Sequence, residues 1–375
     1  MNTMIKTLLM AASFGVAGLQ AAASTDTAAE PTLAISASHV LVDGGVVLDD
    51  AMVLIADGRI LAVAPKAELQ DNLPDGVTVV HHDGWMSAGL VAANSTLGLT
   101  HSSDGTSAFM EGLDLVDGFD RKAKSLKAAR ALGVTTLGLE ADRNNVIGGF
   151  GAVVKTDGSV VKKRSILALS IGPPAVRGNR FPTSYGGAMR ALRERFEAGQ
   201  GALGEAKSGK LTTSIAISSP ADLGRALTLT GEFGLRTVIR GGDKHDEFVE
   251  ELKAANVAIA MAPLGLATNE RTYNSIKALA EAGIPMAFGI ADSGNAAATL
   301  RESAALMVAA GIDRAVAWKA VTSTAAKMVG AGDRIGRVAT GLDADLVLWS
   351  GDPLLISSSP VAVYINGEST QGDLR

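Results

Sequence analysis

The stretch Arg121-Lys122-Ala123-Lys124-Ser125-Leu126-Lys127-Ala128-Ala129-Arg130-Ala131-Leu132-Gly133-Val134-Thr135-Thr136-Leu137 decides the class of fold. Its first twelve residues carry a helical pattern, Gly133 closes it in the left-handed position that ends many helices, and a short β-type run follows. The same grammar returns in Ala221–Phe233 with Gly234 and Thr237-Val238-Ile239, in Asp246–Ala255 with Val257–Ala260, and in Tyr273–Ala282 with Gly283 and Pro285–Phe288. Helices alternating with short β-rich runs predict parallel strands joined by crossover helices. A closed barrel of such units takes about 250 residues, and residues 89–335 fit that span.

Outside this region the grammar is β. Residues 33–82 alternate short apolar runs with turn signals, and Asp57-Gly58 between Met52–Ala56 and Arg59–Val63 is a strong hairpin signal. After helical stretches at Ala296–Ala310 and Arg314–Val329, β-type runs return at Asp345–Trp349 and Val361–Gly367. One sheet can use both ends only if they meet. The expectation is an α/β protein, a (β/α)8 TIM-like barrel at 89–335 inserted into a small β-sandwich domain formed by residues 24–88 and 336–375.

Residues 1–23 read as a signal peptide: a positive start, an apolar run from Thr7 to Leu19, and Ala21-Ala22-Ala23 as the cleavage site. The expected location is therefore the periplasm. A membrane anchor would need about 20 apolar residues, and no later segment is predicted to span a bilayer. The 375 residues include no Cys, so neither disulfides nor thiolate chemistry is available. With 34 basic and 39 acidic residues spread without blocks, a net charge of −5 gives no support to a nucleic-acid groove or polybasic patch. A small-molecule ligand fits better.

Several stretches resemble the metal-dependent amidohydrolases, in particular an exported branch similar to imidazolonepropionase. These are Val53–Val63 as the opening hairpin, Ala88-Gly89-Leu90-Val91-Ala92-Ala93-Asn94-Ser95-Thr96 as the first barrel strand, Gly133-Val134-Thr135-Thr136 as the second, and the glycine-rich Asn145–Lys155. The C-terminal set, Ala320–Met328, Asp333-Arg334-Ile335-Gly336 and Ala344–Leu354, is the most specific. The resemblance implies a hydrolase of C–N bonds using zinc or another divalent metal, which lowers the pKa of bound water and polarises the scissile carbonyl.

Carried over position by position, the resemblance places the first strand's His pair on Asn94 and Thr96, the next pair near Ala216 and Ser218, and a later His on Arg240. Alanine has no donor atom, and neutral Asn and Thr oxygens are poor substitutes at sites that favour His nitrogen, thiolate or carboxylate. A guanidinium about 4 Å from a divalent ion would repel it by roughly 8 kcal/mol at an effective dielectric of about 20. The expected site therefore has no metal and no cofactor. The family's last-strand Asp falls on Ala291 or Asp292, and Asp292 is the candidate catalytic carboxylate; an Asp-Ser-Gly turn is the plainer reading.

Among the histidines, His39, His81 and His82 fall in the β domain, whereas His101 and His245 either reach one pocket or sit on solvent-facing loops. Lys155 is either a pocket lysine or a surface residue flanking a Thr-Asp-Gly hairpin. Arg177, Arg180 and Arg190 either bind a carboxylate or belong to a solvated loop. Neither a Gly-x-Ser-x-Gly elbow nor a Gly-Lys-Ser/Thr phosphate loop is present. Three roles follow: a diverged, non-catalytic subunit, alone as a homo-oligomer or paired with an active amidohydrolase; an active hydrolase with an unorthodox site; or a periplasmic small-molecule binding protein with Arg240 facing an anion.

Overall fold

The computed structural model describes residues 29–290 and 294–372. The signal peptide reading at 1–23 and the candidate Asp292 lie outside the described residues.

Strands β1 (Leu33–Asp43), β2 (Val46–Ala56), β3 (Arg59–Pro65) and β4 (Thr78–Ala88) precede the barrel. The barrel holds β5 (Leu90–Ser95), β6 (Val134–Leu139), β7 (Ile147–Lys155), β8 (Val160–Ser170), β9 (Thr212–Ile217), β10 (Thr237–Gly241), β11 (Ala258–Met261) and β12 (Met286–Phe288). Strands β13 (Leu346–Trp349), β14 (Pro360–Ile365) and β15 (Glu368–Gln371) follow it.

Both chain ends share one seven-stranded sheet, ordered β15-β14-β13-β4-β1-β2-β3. Its turns follow the sequence: Asp57 (φ 49°) and Gly58 (φ 75°) join β2 to β3, and Asn366 (φ 51°) and Gly367 (φ 74°) join β14 to β15. Two consecutive left-handed residues make the tight turn whose twist suits a hairpin, hence Asp-Gly and Asn-Gly.

The eight-stranded sheet runs in order from β5 to β12. It closes through a bridge between Ser95 and Ile290, with Ile290 N donating to Asn94 O at 2.8 Å. The expected barrel is present, with one variation. β7 pairs antiparallel with both β6 and β8, while the other adjacent pairs are parallel. The turn after β7 contains Asp157 and Gly158 (φ 95°), so a hairpin replaces a crossover helix there.

Reversing β7 brings its last residue to the end of the barrel where the other strands begin and where the two-ended sheet packs. Lys155 is consequently 1% exposed, and neither the pocket nor the surface reading holds. Its Nζ donates to Asp343 Oδ2 at 2.8 Å, Asp345 Oδ1 at 2.9 Å and Asn366 Oδ1 at 2.5 Å. Arg334 Nη2 adds a 2.8 Å bond to Asp343. The Asp-Arg and Ala-Asp motifs of the C-terminal stretch thus fasten the barrel floor to the sheet.

Gly133 does more than end the helix Lys124–Ala131. At φ 84° it follows the expected left-handed geometry, and a Cβ there would lie 2.8 Å from the Trp349 ring. Trp349 is fully buried and donates its indole N–H to Ser87 Oγ at 2.9 Å, so barrel and sheet share a continuous apolar core at this point.

Candidate functional site at the barrel mouth

In (β/α) barrels the loops after the strands carry the chemistry. At that end a cleft of about 190 Å³ is lined by Asn94, Arg143, Arg240, Gly241, Ala260, Met261, Ala262, Pro263, Gly289 and Ile290. Asn94 and Arg240 enter from the last turns of β5 and β10, Arg143 from the loop after β6.

Arg240 is 5% exposed. Its neighbours in register are Ala216 on β9 and Ala260 on β11, and side chains paired in register project to the same face of a sheet. The two alanines therefore leave room for a guanidinium. Arg240 Nη1 donates to Ala141 O at 2.6 Å, and Nε lies 3.4 Å from Glu140 Oε2. Among the described residues neither Nε nor Nη2 has a hydrogen-bond partner. Glu140, 2% exposed, also accepts from Ser214 Oγ at 2.6 Å. Burial pushes the Glu140 carboxyl above its ordinary range, against the pull of Arg240 and the Ser214 hydroxyl.

Arg143 lies half-buried beside this pair, with Nη1 3.3 Å from Ile217 O. Burial, and then the positive charge of Arg240, hold its pKa below the usual arginine value. Gly241 makes its position possible, since a Cβ at that residue would fall 2.3 Å from Arg143 Nη2. Gly289 does the same for Asn94, whose Oδ1 lies 2.1 Å from the place of the missing Cβ.

The other expected positions are scattered. Thr96 lies just past β5, its carbonyl accepting from Leu99 N at 2.9 Å. Ser218 is exposed and belongs to a helix start: its N–H donates to Asp222 Oδ2 at 3.1 Å, while Ser219 Oγ accepts from Asp222 N at 3.2 Å. Ser219 thus caps the helix Pro220–Phe233 while the Asp222 carboxylate holds the residue before the cap. Arg180 clasps loop groups, including Asn144 O at 2.7 Å and Asn145 Oδ1 at 2.9 Å, Arg177 bonds the Asn144 side chain, and Arg190 pairs with Glu194.

His101 is exposed, whereas His245 is 5% exposed and lines a neighbouring cleft of about 400 Å³ with Lys244, Thr268 and Arg271. The loop reading therefore suits His101 but not His245. His245 Nε2 lies 3.0 Å from Gly241 O, an acceptor only, so that nitrogen carries the proton; burial lowers its pKa. The two clefts share Met261, Ala262 and Pro263.

Sequence reasoning missed Glu140 and Arg143. A charged residue directly after the apolar run Val134–Leu139, at the catalytic end of a barrel strand, was the available signal.

A model of the amidohydrolase family matches residues 237–370, which include Arg240. Imidazolonepropionase from Stenotrophomonas maltophilia is 22% identical over 365 residues, covering 82% of this chain and 87% of that protein. An amidohydrolase from Hapsidospora irregularis is 38% identical over 63 residues, 17% of this chain, and the chain spans only 6% of that protein's length. Among solved structures, an amidohydrolase from Thermotoga maritima superposes with a TM-score of 0.81 at 22% identity, over 91% of this chain and 100% of that one. A zinc-bound adenosine deaminase from Xanthomonas campestris gives 0.52 at 17% identity, over 92% and 94%. The family-model match and the likeness to imidazolonepropionase support the amidohydrolase superfamily, and the solved structures share the fold.

Superfamily enzymes generally use a divalent metal. Among the described residues no group of three or more His, Asp or Glu could hold one. The donors at the mouth do not fit it either: Ala216 offers none, Asn94 only a neutral amide, and Arg240 a fixed positive charge.

Proposed function

We propose that this chain is a diverged amidohydrolase, by descent a hydrolase of C–N bonds, that works without metal-activated water as a non-catalytic protein. In this reading residues 1–23 export it to the periplasm, where it assembles with itself or with an active amidohydrolase. One observation carries the reading. At a position where the resemblance implies a metal ligand, Arg240 is buried, flanked by Ala216 and Ala260, with Glu140 Oε2 3.4 Å from its Nε. With Arg143 in the same cleft, two guanidiniums outweigh the one carboxylate of Glu140 there, and this net positive charge repels a metal cation.

The test is elemental analysis of the purified mature chain after incubation with zinc, manganese and iron and dialysis against metal-free buffer. Substoichiometric metal in a folded chain is expected. Near one mole of tightly held metal per chain would overturn the reading.

A second role, binding a small molecule, is favoured by a separate observation. Arg240 lines an open cleft while its Nη2 has no hydrogen-bond partner among the described residues, and a buried donor left without a partner costs about 1–3 kcal/mol.

A further inference from the structure

We propose that the cleft at the barrel mouth binds a small carboxylate, one end held by Arg143 with Arg240 behind it and the tail against Met261, Pro263 and Ile290. This rests on the reading that the mouth works without a metal, and it names the ligand class of the binding role.

Three observations point the same way. First, two guanidiniums meet here, and the described carboxylate beside Arg240 is Glu140, which Ser214 also engages. Among the described residues the pocket lining adds no acidic side chain: besides the two arginines it presents one amide and otherwise apolar side chains or glycine. A bound anion would relieve the repulsion between Arg143 and Arg240, and guanidiniums match the planar geometry of a carboxylate.

Second, Arg240 is more than nine-tenths buried, lines the cleft and keeps Nη2 without a hydrogen-bond partner among the described residues. Among the described residues Arg143 makes one hydrogen bond, at 3.3 Å to Ile217 O, and so retains donors for a ligand.

Third, Gly241 and Gly289 leave the space that Arg143 and Asn94 occupy; a Cβ at either would come within 2.3 Å of the side chain concerned. The Asn94 amide lines the same cleft with no side-chain hydrogen bond among the described residues, ready for a polar substituent next to the carboxylate. Size limits the ligand, because about 190 Å³ excludes long chains unless they pass Met261 and Pro263 into the larger neighbouring cleft.

Isothermal titration of the mature chain with sodium propionate, and separately with propionamide, in carboxylate-free buffer at fixed ionic strength tests the assignment. Propionate is expected to bind at least tenfold more tightly than its neutral amide, and Arg143→Ala to weaken propionate at least tenfold. Equal binding of the two compounds, no binding of propionate, or an Arg143→Ala chain that binds like the wild type would overturn it. The comparison of the two compounds uses the unaltered chain and does not depend on any variant folding. Zinc analysis of the same sample separates the two readings: failure of propionate on a metal-free chain sinks only the ligand assignment. Propionate binding that vanishes when stoichiometric zinc is chelated would instead sink the metal-free reading.

Discussion

Lys155 Nζ lies 2.9 Å from Asp345 Oδ1, joining the last residue of the one reversed barrel strand to the residue that leads into the first strand of the C-terminal segment. Both residues are almost wholly buried. Burial pushes the Asp345 carboxyl above its ordinary range, with Lys155 and the Asn366 backbone N–H pulling it back. Breaking a buried ion pair from one side costs about 3–5 kcal/mol, because the remaining charge stays in the interior. Lys155→Met is expected to lose stability on that scale in chemical denaturation, and Lys155→Met combined with Asp345→Asn to recover part of it. A cost for the single variant within the range of a surface substitution, about 0.5 kcal/mol, would show that the cluster does not hold the domains together.

Arg240→Met should leave Glu140 buried without its counter-ion. We expect a loss of about 3–5 kcal/mol at neutral pH, shrinking as the solution is acidified. The sign follows from linkage: burial raises the folded-state pKa of Glu140, so the folded protein binds its proton more tightly than the unfolded chain. Stability is then highest below the unfolded value of about 4.3 and falls as pH rises through the folded value. Thermal melts from pH 4 to pH 8 check this. Glu140→Gln combined with Arg240→Met should remove the dependence; a steep slope persisting in the double variant would assign it to another group, such as Asp345.

Gly133→Ala tests the contact between barrel and sheet. An alanine would face strain at φ 84° and its Cβ would meet the Trp349 ring at 2.8 Å. Left-handed strain and overpacking together are expected to cost about 2 kcal/mol or more. Tryptophan fluorescence during unfolding, to which Trp85 and Trp318 also contribute, gives the midpoint, and an unchanged midpoint would mean that the Trp349 ring moves aside freely.

Ala216→Leu should crowd Arg240, which shares its register on the neighbouring strand. Overpacking costs about 1–3 kcal/mol in well-packed interiors, so the midpoint of urea denaturation is expected to fall. If stability is unchanged, Ala216 is not what makes room for the guanidinium.

Much of this architecture was legible in the sequence because it is encoded locally. Gly133 and Gly234 end helices in the left-handed region, at φ 84° and 62°, and Asp57-Gly58 can make a tight hairpin whatever surrounds it. The helix and strand rhythm, and β grammar at both ends, follow from short-range periodicity. The chain also displayed Asn94, Thr96, Ala216, Ser218 and Arg240 where the resemblance implies ligands.

What tertiary structure decided is where charges meet. Lys155 has the local sequence of a hairpin flank, and only the reversal of β7 takes it to the barrel floor beside Asp343 and Asp345, 188 and 190 residues away. Glu140 and Arg143 follow β6 and Arg240 ends β10, and these two units share the mouth only because the sheet closes between Ser95 and Ile290. Backbone propensity acts over a few residues, whereas pairing and desolvation of charges depend on which distant segments the closed barrel brings together.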